Sequence, residues 1–210
     1  MFLLWPLMLF VLINALLVPF HFALQSLGGL LSIPVQIYKV ATNPLLRRNH
    51  ALEHATINVI EERYGPRPLA GLAREDGFLL RGDADPLLVE QAARIGLERL
   101  KRGETSLAVH PRCGTSILTA NFVSSVVFLL LLLQAGMLSI WTVLMAMLLA
   151  NLLGPVFGQV VQRLFTTSTD VYGMEIVGIQ YRPSAIRVFG LPLRGMPDLF
   201  LVRTRWVPYY

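Results

Sequence analysis

The sequence has a single cysteine, Cys113, and no charged side chain before Lys39. One cysteine excludes an intramolecular disulfide framework. It leaves a reduced compartment, a metal-bound thiol or a reactive one. Charge is missing again between Arg112 and Arg163, and charged residues make up only 15% of the 210-residue chain, where a soluble domain carries about 25%. Uncharged stretches of that length are too long for soluble core elements. A membrane helix needs about 20 mostly apolar residues, and the chain is 54% hydrophobic. Internal repeats and a basic run are also lacking. The net charge of +5 comes from arginines that flank apolar spans. That argues against nucleic acid and for a cytoplasmic positive bias, with the lipid bilayer as the first partner.

The chain therefore reads as a multi-pass α-helical protein of a bacterial inner membrane, with about three membrane helices and a small cytoplasmic α+β domain. Residues 1–42 form an N-terminal membrane region. Its first helix runs to about Leu24, with no basic start or cleavage site to suggest a signal peptide. Asn14 and His21 are polar within it, and such residues face other helices or mark function. Gly28, Gly29 and Pro34 predict a broken, re-entrant or interfacial segment over Gln25–Tyr38.

Residues 43–112 form the α+β domain. Asn43-Pro44 opens a helix that ends near Gly65-Pro66. A hairpin follows over 71–82, turning at Glu75-Asp76-Gly77. Asp85-Pro86 opens an amphipathic helix to Gly103, and Ser106–Val109 reads as a short strand. Residues 113–165 are a membrane hairpin with spans over Ser116–Leu133 and Met137–Val161. Residues 166–210 are a tail with strands at Gly173–Tyr181 and Leu199–Thr204. Lys39, Arg47, Arg48 and Arg163 place the middle domain and the tail on the cytoplasmic side. Two full spans before Lys39 would move only the N-terminus.

The chemistry concentrates in His50-x-x-Glu53-His54. With His50 at 0°, His54 lies at about 40° and Glu53 at about −60° on a helix. Two imidazoles one turn apart reach one metal, and the adjacent carboxylate can take a proton from metal-bound water. This is the order of the inverted zinc-peptidase motif, with His50 and His54 as ligands and Glu53 as general base. Glu61 returns to the same face, but about 10 Å along the axis. It is expected to support a ligand, hold a second metal or touch substrate. Zinc catalytic sites use three protein ligands and leave a fourth position open, so another segment must supply one. His110-x-x-Cys113 is the best source: Cys113 sits before a helix beside Arg112, which favours the thiolate. Spacing does not choose between Cys113 and His110. Asn58, Arg112 and Asn121 complete the set of supporting or substrate-contacting candidates, Asn121 lying in the next span. Asn151 and Gln159 fall to helix packing.

Two blocks carry a resemblance. His50-Ala51-Leu52-Glu53-His54-Ala55-Thr56-Ile57-Asn58, followed by Glu61, is similar to a His-Gly-Ala-Glu-His-Lys-Thr-Ile-Asn block. His110-Pro111-Arg112-Cys113-Gly114-Thr115-Ser116-Ile117 is similar to His-x-Arg-Cys-Gly-Thr-Ser-Phe. Over roughly residues 44–160 the chain resembles the YqhQ-like family of predicted metal-dependent bacterial membrane enzymes. The departures at Ala51-Leu52, Ala55 and Ile117 remove no ligand. The resemblance implies a metal-dependent activity without naming a reaction. The first expectation is a zinc-dependent membrane hydrolase, a peptidase acting on a membrane protein or peptide; another divalent metal would serve the same ligands. The alternatives are a non-enzymatic scaffold or assembly factor clamped by the metal, and a thiol enzyme using Cys113 with His110.

Overall fold

The structure is a computed structural model that describes residues 4–136, 139–182, 186–188, 191–193 and 198–208. The expected span start at Met137, and Arg194 of the tail, lie outside these residues. In chain order the elements are α1 (Leu4–Ala41), α2 (Pro44–Tyr64), β1 (Ala70–Arg74), β2 (Gly77–Arg81), α3 (Pro86–Lys101), α4 (Gly114–Ala135), α5 (Ile140–Val161), β3 (Met174–Arg182), β4 (Ile186–Val188), β5 (Leu191–Leu193) and β6 (Leu199–Trp206). A 3-10 turn covers Thr105–Ala108, and a π turn covers Gln162–Thr166.

The chain divides into two compact units, one of residues 1–37 with 114–161, the other of 38–113 with 162–210. The first is helical, and α1, α4 and α5 are each long and apolar enough to cross a membrane. The expected break over Gln25–Tyr38 does not occur: α1 is continuous for 38 residues, with Pro19 and Pro34 inside it. At 1.5 Å per residue that is about 57 Å, well beyond a hydrocarbon core of about 30 Å. Membrane helices tolerate glycine and proline where soluble ones break. Asn14 and Asn151 turn back on their own helices, donating to Phe10 O at 2.8 Å and Met147 O at 3.0 Å, and His21 bonds Gln25 at 2.8 Å.

Between α4 and α5 the packing is set by small residues. Ala146, Ala150, Gly154 and Gly158 recur every fourth position of α5 and are buried, a spacing that lets two helix backbones approach closely. A Cβ on Gly158 would stand 2.7 Å from Ser116 Oγ.

The second unit has two helices on a four-stranded antiparallel sheet of order β1-β2-β6-β3, and β4 and β5 form a separate two-stranded sheet. The tail is not a separate element, since β6 inserts between β2 and β3 and pairs Phe78 with Val202 and Leu80 with Phe200. Those four side chains are fully buried and form the core with Leu52 and Ile60 of α2 and Val89, Leu97 and Leu100 of α3. Both helix starts are capped as the sequence predicts: Asn43 accepts from Leu46 N at 3.1 Å and Asp85 from Leu87 N at 2.7 Å. Gly65 ends α2 at φ 76, a conformation that favours glycine. At Gly96 a Cβ would meet Ala55 at 3.1 Å, so α2 and α3 cross closely. Ser106–Val109 is the second correction: it forms the 3-10 turn, with no strand there.

Candidate metal centre

Every residue of α2 from Asn49 to Ile57 is buried, polar ones included. Buried polar groups need partners, and here they are mostly backbone groups of neighbouring segments. Asn49 donates to Arg74 O at 2.8 Å and accepts from Thr204 Oγ1 at 2.6 Å, joining the helix to the β1–β2 turn and to β6. Asn58 donates to Leu107 O at 3.0 Å and Val109 O at 3.1 Å, holding the segment that leads to His110.

The two histidines are fixed in the same way. His50 Nδ1 lies 2.9 Å from Thr166 O, and His54 Nδ1 lies 2.8 Å from Ala108 O. A carbonyl only accepts, so each Nδ1 carries the proton and each Nε2 keeps its lone pair. This is how metal-binding imidazoles are oriented. His50 Nε2 stands 3.2 Å from Cys113 Sγ. Nitrogen and sulfur on one tetrahedral zinc are roughly 3.5 Å apart, given bonds of about 2.0 and 2.3 Å. His54 Nε2 is buried with no hydrogen-bond partner among the described residues. Ligand atoms of His50, His54 and Cys113 all lie within 4.8 Å of one another, close enough to bind one metal ion.

Electrostatics fits that donor set. Burial holds the His50 imidazole below its ordinary range. Burial, and then the neighbouring His50, hold His54 well below it. Both rings therefore stay neutral, the form that binds metal.

The other sequence candidates are placed around this cluster. His110 is buried, but its Nε2 faces Glu61 Oε2 at 3.3 Å and its ring centroid is 6.1 Å from that of His54. Among the described residues Cys113, not His110, completes the three-ligand group. The thiol faces His50. Glu61 pairs with Arg112 and His110 and accepts from Arg67 N at 3.2 Å. Burial pushes the Glu61 carboxyl up, but these hydrogen bonds outweigh it and hold it below the usual carboxylate range.

Glu53 is buried but is not part of the three-ligand group. Its carboxyl accepts from the Ala73 N–H, and burial pushes it up to about 8. It lies against Gly71, where any Cβ would collide with it. Asn121 sits in α4, in the helical unit, lining a groove with Ser26 and Ser125.

Sequence reasoning missed Gln162 and Thr166. Gln162 is fully buried and accepts from His110 N at 2.9 Å while donating to His110 O at 3.1 Å. The π turn it opens presents Thr166 O to His50, and such turns often mark functional sites. A glutamine at the end of an apolar span was the available signal.

Fold and site together define a class: a chain with three membrane-length helices and a buried pair of histidines with a cysteine, able to hold one metal ion. A family profile described as a domain of unknown function, DUF6391, matches residues 45–179, and the chain belongs to that family. The match encloses all three ligands. An uncharacterized protein of Picosynechococcus sp. (strain ATCC 27264 / PCC 7002 / PR-6) is 36% identical over 99 residues, covering 40% of this chain and 48% of the relative. The similarity thus spans about half of that relative's length. No solved structure matches the chain.

Proposed function

We propose that the chain is a zinc-dependent membrane hydrolase, with a membrane protein or peptide as substrate. The observation that carries this reading is the convergence of ligand atoms of His50, His54 and Cys113 within 4.8 Å of one another, with both Nδ1 atoms tied to backbone carbonyls. Three protein ligands are the number used by catalytic zinc sites, which keep a fourth position open. The metal would supply Lewis acidity and a bound water of lowered pKa. The chain's own contribution is to hold the three ligands neutral or anionic in a dry setting, with Glu53 the nearest residue in sequence able to move a proton. The likeness of both sequence blocks to the YqhQ-like proteins supports a metal-dependent chemistry.

A second reading has its own observation. Glu53 accepts from Ala73 N–H, on the β1 side of α2, and all three ligands are buried. A metal there would clamp α2 to the segment entering α4 and serve as a structural centre.

The two readings part on one variant. Metal analysis of the purified chain should return about one zinc per chain, lost in His54→Ala and Cys113→Ser. Glu53→Gln should retain the metal and abolish cleavage of a membrane-peptide library. Cleavage intact in Glu53→Gln, with stability lost in His54→Ala, assigns the metal to the clamp. A chain that holds no metal after gentle purification sinks both.

A further inference from the structure

The second unit contains a cavity of about 440 Å³ that no sequence motif marked. Two arginines, Arg47 and Arg163, line it together with the hydroxyl-bearing residues Thr105, Ser106, Thr167, Ser168 and Thr169. Among the described residues no carboxylate lines it and neither arginine forms an ion pair. Arg47 is held in place: its Nη2 donates to Leu164 O at 3.2 Å and Thr167 O at 3.0 Å. Its Nε is buried with no acceptor among the described residues. Convergent arginines and hydroxyls without a counter-charge are the chemistry of a phosphate site, because guanidinium donors match phosphate oxygens in pairs. The volume falls in the range of small-molecule sites and exceeds what a bare ion needs.

We infer that this cavity binds a phosphate monoester dianion. Two unpaired arginines match its charge, and the hydroxyls satisfy its remaining oxygens. Arg163 lies two residues beyond the end of α5 in the chain, the position at which basic side chains meet lipid phosphates when a helix spans a bilayer. The phosphate can therefore come from a lipid such as phosphatidic acid or from a soluble ester. The wall also includes Ala108, whose carbonyl orients His54. The inference stands on its own donors and does not depend on the metal.

The test uses the full chain in neutral detergent. Thermal stability is followed against inorganic phosphate at matched ionic strength, and separately against phosphatidic acid in mixed micelles, with phosphatidylcholine as control. A saturable stabilisation by phosphatidic acid alone identifies a lipid headgroup. Stabilisation by inorganic phosphate as well identifies a site open to soluble esters. Arg163→Gln, at an exposed position, should weaken apparent affinity on the order of tenfold, the loss of one charge-assisted contact. Arg163→Lys should retain most of it, and Ser106→Ala should weaken it in the same direction. Metal content of Arg163→Gln should equal wild type, which separates this result from failure of the metal reading. The inference is overturned if neither ligand stabilises saturably, or if Arg163→Gln leaves both responses unchanged.

Discussion

At the scale of single residues, α2 sends its polar side chains in different directions. His50 and His54 differ by about 40° and point to one metal position, while Glu53 lies about 100° from His54 and meets β1. The motif is legible in the sequence, and so is the need for a ligand from His110-x-x-Cys113. The choice of Cys113 is not, because it depends on Gln162 and Glu61 capturing His110, contacts across about fifty residues that spacing cannot encode. Glu53 yields a pH prediction. Its folded carboxyl titrates near 8 against an ordinary value of 4.5, so the folded state holds the proton more tightly. Its stabilising contribution is present below the lower value and is lost as pH rises through the higher one. The depressed imidazoles of His50 and His54 act oppositely, their contribution being lost as pH falls below 6.5. Metal-free wild type should therefore lose thermal stability relative to Glu53→Gln as pH is raised from 5 to 9, with both retaining the acid limb. Parallel melting curves over that range would show that Glu53 is ionised in the folded chain. Gly71→Ala should disturb the same carboxyl, since the added methyl occupies its place.

At the scale of elements, helix starts were the most readable feature, because a cap is a local hydrogen bond between an Asn or Asp and an amide two or three residues on. The 3-10 turn at Thr105–Ala108 was not readable. Its carbonyls serve side chains of α2, Ala108 O taking His54 and Leu107 O taking Asn58, so the segment never seeks a strand partner. Nor did sequence reading show the α5 stripe of Ala146, Ala150, Gly154 and Gly158, hidden within a uniformly apolar run. That stripe carries a prediction. Gly158→Val places a branched side chain against Ser116, where overpacking costs about 1–3 kcal/mol. The variant should melt earlier in detergent, while the equivalent change at Gly28, where a Cβ meets nothing within 4 Å, should leave the melt in place. Gln162→Ala belongs to the same scale. It removes the reciprocal pair with His110 and leaves the His110 N–H without its acceptor, at about 1–3 kcal/mol, while His110 O keeps the Cys113 N–H at 3.2 Å. It should also loosen metal binding through displacement of the His110–Cys113 segment.

At the scale of the whole molecule, the sheet constrains topology more strongly than charge counting does. β1 and β2 precede the α4–α5 hairpin in the chain, and β3 and β6 follow it, yet β2 and β6 are hydrogen-bonded neighbours. A backbone ladder cannot form across a bilayer. If α4 and α5 both span, the strands β1, β2, β3 and β6 must therefore lie on one side and the turn at Gly136 on the other. The positive-inside rule then names the sides. Lys39, Arg47, Arg48 and Arg163 border the spans on the sheet side, and no charged residue borders the turn between α4 and α5. The sheet and the His50–His54–Cys113 cluster should be cytoplasmic. A cytoplasmic setting would also be reducing, which would keep the Cys113 thiol available to a metal. A reporter active only in the cytoplasm should work when fused after Trp206 and fail when inserted at Gly136. A reporter active only outside should give the reverse. A fusion at the N-terminus should report the side opposite to Trp206 if α1 crosses once. Equal signals from Gly136 and Trp206 would mean that the hairpin does not cross, and α4 and α5 would then need another partner than lipid.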